Sequence, residues 1–167
     1  PGISLENFVV KGSLTIAKEV GNGDSTLKNV VVEGMTYING GGENSVYFID
    51  VELGKMYIQK DDGPVRIVAS GTSNIKELIV KSDVKIEEID NETSKIEGIR
   101  VEKSVGKDLR ISLTGVKCHS VEILSEGVTL DSDEKSVIGK LTIDAKGTSV
   151  VGRGKVDSAV IKKDGIT

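Results

Sequence analysis

One template of apolar residues recurs from end to end of the chain: apolar, two free, apolar, one free, apolar, then three to five free, apolar, one free, apolar. Leu5, Phe8, Val10, Leu14 and Ile16 set it, and Leu27, Val30, Val32, Met35 and Tyr37 repeat it. Val46, Ile49, Val51, Met56 and Ile58 form the next copy, followed by Ile75, Leu78, Val80, Val84 and Ile86. Ile96, Ile99, Val101, Leu109 and Ile111 continue it, then Cys118, Val121, Ile123, Val128 and Leu130. Ile138, Leu141 and Ile143, then Val156, Ala159, Ile161 and Ile166, close the series. Self-similarity at this period is the mark of a solenoid, in which each unit buries its apolar edge only by stacking on the next.

Spacing by two inside each apolar pair is strand alternation, so each unit reads as short strands joined by corners. Gly12, Gly34, Gly54, Ser82, Ser104, Gly127 and Gly147 fall between the pairs, where the chain turns and tolerance of positive φ is useful. Polar stretches such as Gly21 to Asp24, Asn39 to Ser45 and Asp90 to Ser94 return the chain to the next unit. Between Ile58 and Ile75 the count is broken by Gln59 to Pro64 and the strand-like Val65 to Ala69. That third strand predicts a three-sided coil. About eight coils, each adding about 4.8 Å, make a rod roughly 40 Å long. An antiparallel sandwich, the alternative, needs hairpin signals that the constant order of the copies does not supply.

Composition agrees with an all-β solenoid. The 167 residues include 20 glycines, 2 prolines and no tryptophan, with 3% aromatic residues, so valine, isoleucine and leucine must fill the core. The length suits one domain over residues 1–167. A net charge of −4 with scattered lysines argues against nucleic acid. No apolar run approaches the roughly 20 residues of a membrane span, and Pro1 to Ser4 does not begin a signal peptide, so a soluble chain is expected. A domain excised from a larger secreted protein would read the same way. The single cysteine, Cys118, excludes an internal disulfide.

The segments LENFVVKGSLTI at 5–16, TLKNVVVEG at 26–34, NGGGENSV at 39–46 and KDDGPVRIVASG at 60–71 resemble a module of large surface proteins of Gram-positive bacteria. Such modules stand beside S-layer homology and immunoglobulin-like domains and are related in shape to pectate lyases. The likeness is specific over about residues 5–86 and a general coil pattern beyond. It implies a right-handed parallel β-helix in an extracellular, cell-surface or cell-wall setting, with neighbouring domains in the same chain. It carries over no catalytic residue.

Four groups of residues are candidates for chemistry. Cys118 and His119 are adjacent, but the template turns Cys118 inward and His119 outward, and no second His or Cys completes a zinc site. Acidic loops at Asp61 and Asp62, at Glu87, Glu88, Asp90 and Glu92, and at Asp131, Asp133 and Glu134 could offer oxygens to calcium, though none has the spacing of a known calcium loop. The free residue of the second pair reads Thr15, Thr36, Tyr57, Lys85, Arg110 and Thr129 from coil to coil. Tyr57, Lys85 and Arg110 would then form an outward stripe suited to an acidic polysaccharide, the ring stacking on sugar and the bases pairing with carboxylates. Finally, a lyase would need an arginine or lysine base beside calcium-binding carboxylates. Arg66, Arg100, Arg110 and Arg153 are the only arginines, and the short turns build no cleft.

The sequence therefore predicts a non-catalytic surface module binding polysaccharide or a cell-wall component, or mediating adhesion. A structural spacer or assembly element and a lyase-like enzyme are the alternatives. No cofactor is required, and calcium is the one the loops would suit. The open coil ends are edge strands, so a cap, a neighbouring domain or end-to-end association is expected to cover them.

Overall fold

Alternating apolar residues with two-residue interruptions cannot lie on one flat strand, because each interruption places two successive side chains outside and bends the chain between two inward-facing runs. The computed structural model, which describes residues 2–41, 45–89, 93–103 and 108–167, shows that bend in every coil. Gly42, Glu43, Asn44, Asp90, Asn91, Glu92 and Ser104 lie outside the described residues. In chain order the strands are β1 (Ile3–Val10), β2 (Leu14–Ile16), β3 (Ser25–Val32), β4 (Thr36–Ile38), β5 (Val46–Ile49) and β6 (Glu52–Ile58). Then follow β7 (Val65–Ser70), β8 (Asn74–Val80), β9 (Val84–Glu88), β10 (Lys95–Val101) and β11 (Arg110–Thr114). The last are β12 (Lys117–Ile123), β13 (Thr129–Ser132), β14 (Val137–Ile143), β15 (Ser149–Gly152) and β16 (Lys155–Ile161). A single 3-10 turn, Lys18–Val20, is the only helix among the described residues.

All strand pairings among the described residues are parallel, each to the strand two along in sequence apart from a short link between β3 and β6. The result is an all-β, right-handed parallel β-helix of eight layers, with seven turns between the first and the last. Each layer has three sides. The first wall stacks the leading parts of β1 and β3 on β5, β7, β9, β11, β13 and β15. The second wall is short. It runs through Val10, Val32, Leu53, Ile75, Ile96, Cys118, Ile138 and Val156. The third carries Ile16, Ile38, Ile58, Val80, Val101, Ile123, Ile143 and Ile161, one above another. Inward columns of this kind are almost fully shielded, with Leu53, Ile58, Leu78, Val80, Val101 and Val121 at 0% exposure. Each such side chain contributes about 1.5–3 kcal/mol by leaving water.

Several expectations are corrected here. Val65 to Ala69 is no insertion: β7 is the first-wall strand that every layer possesses. The template instead slips by one wall at this point, because the same two-residue bend joins walls one and two in β1 and β3 but walls two and three from β6 onward. In the second layer the inward residues are Thr36 and Ile38, both 0% exposed, while Met35 is exposed and Tyr37 faces outward. Ile49 likewise lies on the outer side and Phe48 inside. Phe8 stacks in register on Val30 but is 55% exposed, since no layer lies beneath it. Of the corner glycines, only Gly127 and Gly147 have positive φ. They continue a column of left-handed residues begun by Asp108 and completed by Gly165. Gly34 is needed for a different reason, because a Cβ there would sit 2.6 Å from the Gly12 carbonyl oxygen.

Candidate functional site

The register disperses the predicted stripe. Tyr57 lies on the outer face of the third wall, between Tyr37 and Ile79. Lys85 and Arg110 are on the first wall in successive layers, two residues out of line: Lys85 stands between Arg66 and Ser112, and Arg110 beside Thr129. Arg110 is also engaged, its Nη2 lying 2.5 Å from Asp131 Oδ2. The tyrosine has acquired other company. Tyr37 and Tyr57 stack with centroids 5.4 Å apart, and the Lys81 ammonium lies 5.4 Å from the Tyr57 centroid. Tyr37 belongs to the layer before and Lys81 to the layer after, so both faces of the Tyr57 ring are taken and only its edge is offered to a ligand.

The acidic candidates are tied into the frame. Lys60 has a side chain only 2% exposed, and its Nζ reaches Asp62 Oδ1 at 2.8 Å, the Asp62 carbonyl oxygen at 2.7 Å and Asn22 Oδ1 at 3.2 Å. Hydrogen bonding from Lys60 and its charge hold the Asp62 carboxyl below its usual range. Asp61 is exposed in the same turn. Asp131 takes Arg110, and Asp133 accepts the Gly115 N–H at 3.0 Å and the Ser136 hydroxyl at 2.6 Å. Burial pulls the Asp133 pKa upward, but the hydrogen bonds from Ser136, Gly115 and Lys135 outweigh it, and the net shift is downward. Glu87 pairs with Arg66. Among the described residues, no three His, Cys, Asp or Glu side chains gather closely enough to hold a metal ion.

Cys118 is buried on the second wall and His119 is exposed, as the alternation requires. Burial, with a smaller push from Glu88, raises the thiol to about 12, so it is no thiolate nucleophile near neutral pH. Glu88 itself is the unexpected member of the interior. It is 4% exposed and stacks above Ala69, but the next layer has no counterpart to it. There β11 ends at Thr114, paired with Glu87, and the chain turns early at Gly115. The cross-section narrows at this step, and the Glu88 carboxylate spans it. Oε2 accepts the Lys117 N–H at 2.8 Å, and Oε1 lies 3.4 Å from the Ser94 hydroxyl. Burial pushes its pKa up to about 7, against hydrogen bonds from Lys117, Ser94 and Ile96 and the Lys117 charge.

A groove missed by sequence reasoning runs along the bend between the second and third walls. One segment, of about 690 Å³, is lined by Lys55, Lys76, Glu77, Lys95, Glu97 and His119 over a floor that includes Gly54 and Gly98. A second continues it past His119 to Lys117, Gly139 and Lys140. The residues were visible in the sequence, but their convergence depends on the bend, which the slipped template misplaces.

Comparison with protein-family models, with curated proteins and with solved structures gives no match to this chain. The assignment to the parallel β-helix architecture is therefore carried by strand register and burial alone.

Proposed function

We propose that the chain is a non-catalytic, rigid rod element of an extracellular protein, displayed at the surface or in the wall of a Gram-positive bacterium and acting there as a spacer or assembly module. The observation behind this reading is the pairing of outward charges from layer to layer. Lys11 with Glu33, Lys55 with Glu77, Lys81 with Glu102, Arg66 with Glu87, Arg100 with Glu122 and Arg110 with Asp131 each join neighbouring coils. Each exposed pair adds at most about 1 kcal/mol. Arranged along the axis, they tie each coil to the next, which suits a module whose task is to keep its length. The same pairing occupies Arg66, Arg100 and Arg110, three of the arginines that a lyase would draw on for its base.

Inserted between a wall anchor and an epitope tag on a bacterial surface, the chain should hold the tag about 40 Å further out than the anchor alone. Fluorescence quenching from the wall reads the distance. A tag no further out than one on a short flexible linker would refute the spacer reading. Polysaccharide binding or adhesion is the second reading, and the groove between the second and third walls is the observation that favours it.

A further inference from the structure

We infer that the groove between the second and third walls binds a linear acidic polysaccharide, with Lys76, Lys95, Lys117 and Lys140 as its anion contacts. Eleven lysines and arginines form ion pairs among the described residues, whereas these four, like Lys18, Lys28, Lys85, Lys103, Lys135 and Arg153, form none. They come from four successive layers and line one groove. Gly98 pairs with Ser120, and the same register carried back along the two strands places Lys95 directly beside Lys117. Like charges opposite one another on neighbouring strands are destabilising. At several other places a lysine or arginine meets an acid on the neighbouring coil, whereas here lysine stands beside lysine, as Lys85 stands beside Arg66 on the first wall. Five groove lysines, counting Lys55, stand against Glu77, Glu97 and Asp157, in a protein whose net charge is −4.

The lining specifies the class of anion. Glycines at Gly54, Gly98 and Gly139 leave the groove floor as bare backbone, and Asn74, His119 and Ser120 add hydrogen-bonding groups at its edge, a surface suited to hydroxyls. The side chains that line it include no tryptophan, tyrosine or phenylalanine to stack a base and no arginine to fork onto phosphate, which argues for carboxylated sugar over nucleic acid. Coils repeat at about 4.8 Å, so a straight polymer lying along the axis meets one lysine per layer.

The test is retention of residues 1–167 on immobilised polygalacturonate, with neutral dextran and single-stranded DNA as comparison matrices. The chain should bind polygalacturonate and release with rising salt. Lys95→Ala with Lys117→Ala should weaken binding about tenfold or more, from roughly 1 kcal/mol for each lost contact. Lys18→Ala with Lys135→Ala, which removes two lysines outside the groove, should leave binding unchanged. Lys95→Glu supplies a second readout independent of any ligand: by relieving the like-charge stack it should raise the melting temperature while reducing retention. Retention no better than on dextran, equal retention on DNA, wild-type binding by the Lys95/Lys117 double variant, or a melting temperature lowered by Lys95→Glu would each overturn the assignment.

Discussion

Ionising Glu88 should cost the fold a measurable part of its stability, and the direction follows from its position. In the unfolded chain the carboxyl titrates near 4.5, whereas in the folded chain burial pushes it up to about 7. The unfolded state therefore gives up its proton first as pH rises. The stabilisation is fully present below pH 4.5, falls between 4.5 and 7, and is gone above that. That gap corresponds to roughly 3 kcal/mol, of which about 2–3 kcal/mol is lost between pH 5 and pH 8. For a chain of this size that is a fall of about 5–10 °C in melting temperature. Guanidinium unfolding at half-unit intervals from pH 5 to 8 should be run on the wild type and on Glu88→Gln, which keeps the shape and one acceptor for the Lys117 N–H. The difference between the two curves isolates this one group from the rest of the titration. The wild type should lose about 2–3 kcal/mol relative to the variant across that range. Parallel curves would show that Glu88 is solvated, and that the step in the cross-section is not bridged as described.

Three further perturbations have defined outcomes. Gly34→Ala should destabilise by about 2 kcal/mol or more in chemical denaturation, since the new Cβ would meet the Gly12 carbonyl at 2.6 Å and strands cannot part without losing their ladder; a change under half a kcal/mol would contradict the close approach. Lys60→Ala strands Asn22 and the Asp62 carbonyl without their shared donor, and should lower stability by about 1–3 kcal/mol and speed proteolysis in the turn before Val65. Leu78→Ala, in the third-wall column between Met56 and Ile99, should cost about 2–5 kcal/mol by opening a cavity, with an unchanged far-ultraviolet spectrum.

The interior was legible in the sequence because aliphatic residues at strand spacing, repeated with few aromatics, leave little but a stacked coil. The Leu78, Ile99 and Val121 column is predicted and observed. What failed was wall assignment. Leu5 to Phe8 and Ile75 to Leu78 show the same spacing, yet the first bend joins walls one and two and the second joins walls two and three. Periodicity reports that the chain bends, not which corner it is turning. Thr36 was misread for a related reason: a fully buried threonine breaks an apolar pattern without leaving the core column. Once the register slipped, Tyr57, Lys85 and Arg110 were drawn into one stripe although the fold separates them. Tyr37, the true neighbour of Tyr57, was assigned to the interior. Glu88 had no local signal, since its burial depends on how far β11 extends in the next layer. The groove lysines are isolated charges in the sequence and converge only through the bends that the correct register defines.

The three-walled parallel stack is tested most directly by distances along one outer column. With Cys118 replaced by alanine, spin labels placed pairwise at Thr15 with Arg100, Glu122 or Thr142 lie on the outer face of the third wall, four, five and six layers apart. Pulsed dipolar spectroscopy should give separations of about 19, 24 and 29 Å, rising by one coil step each time. Separations that fail to increase in that order, as hairpin pairing would produce, would contradict the parallel register and with it the groove, the Glu88 step and the charge ladder.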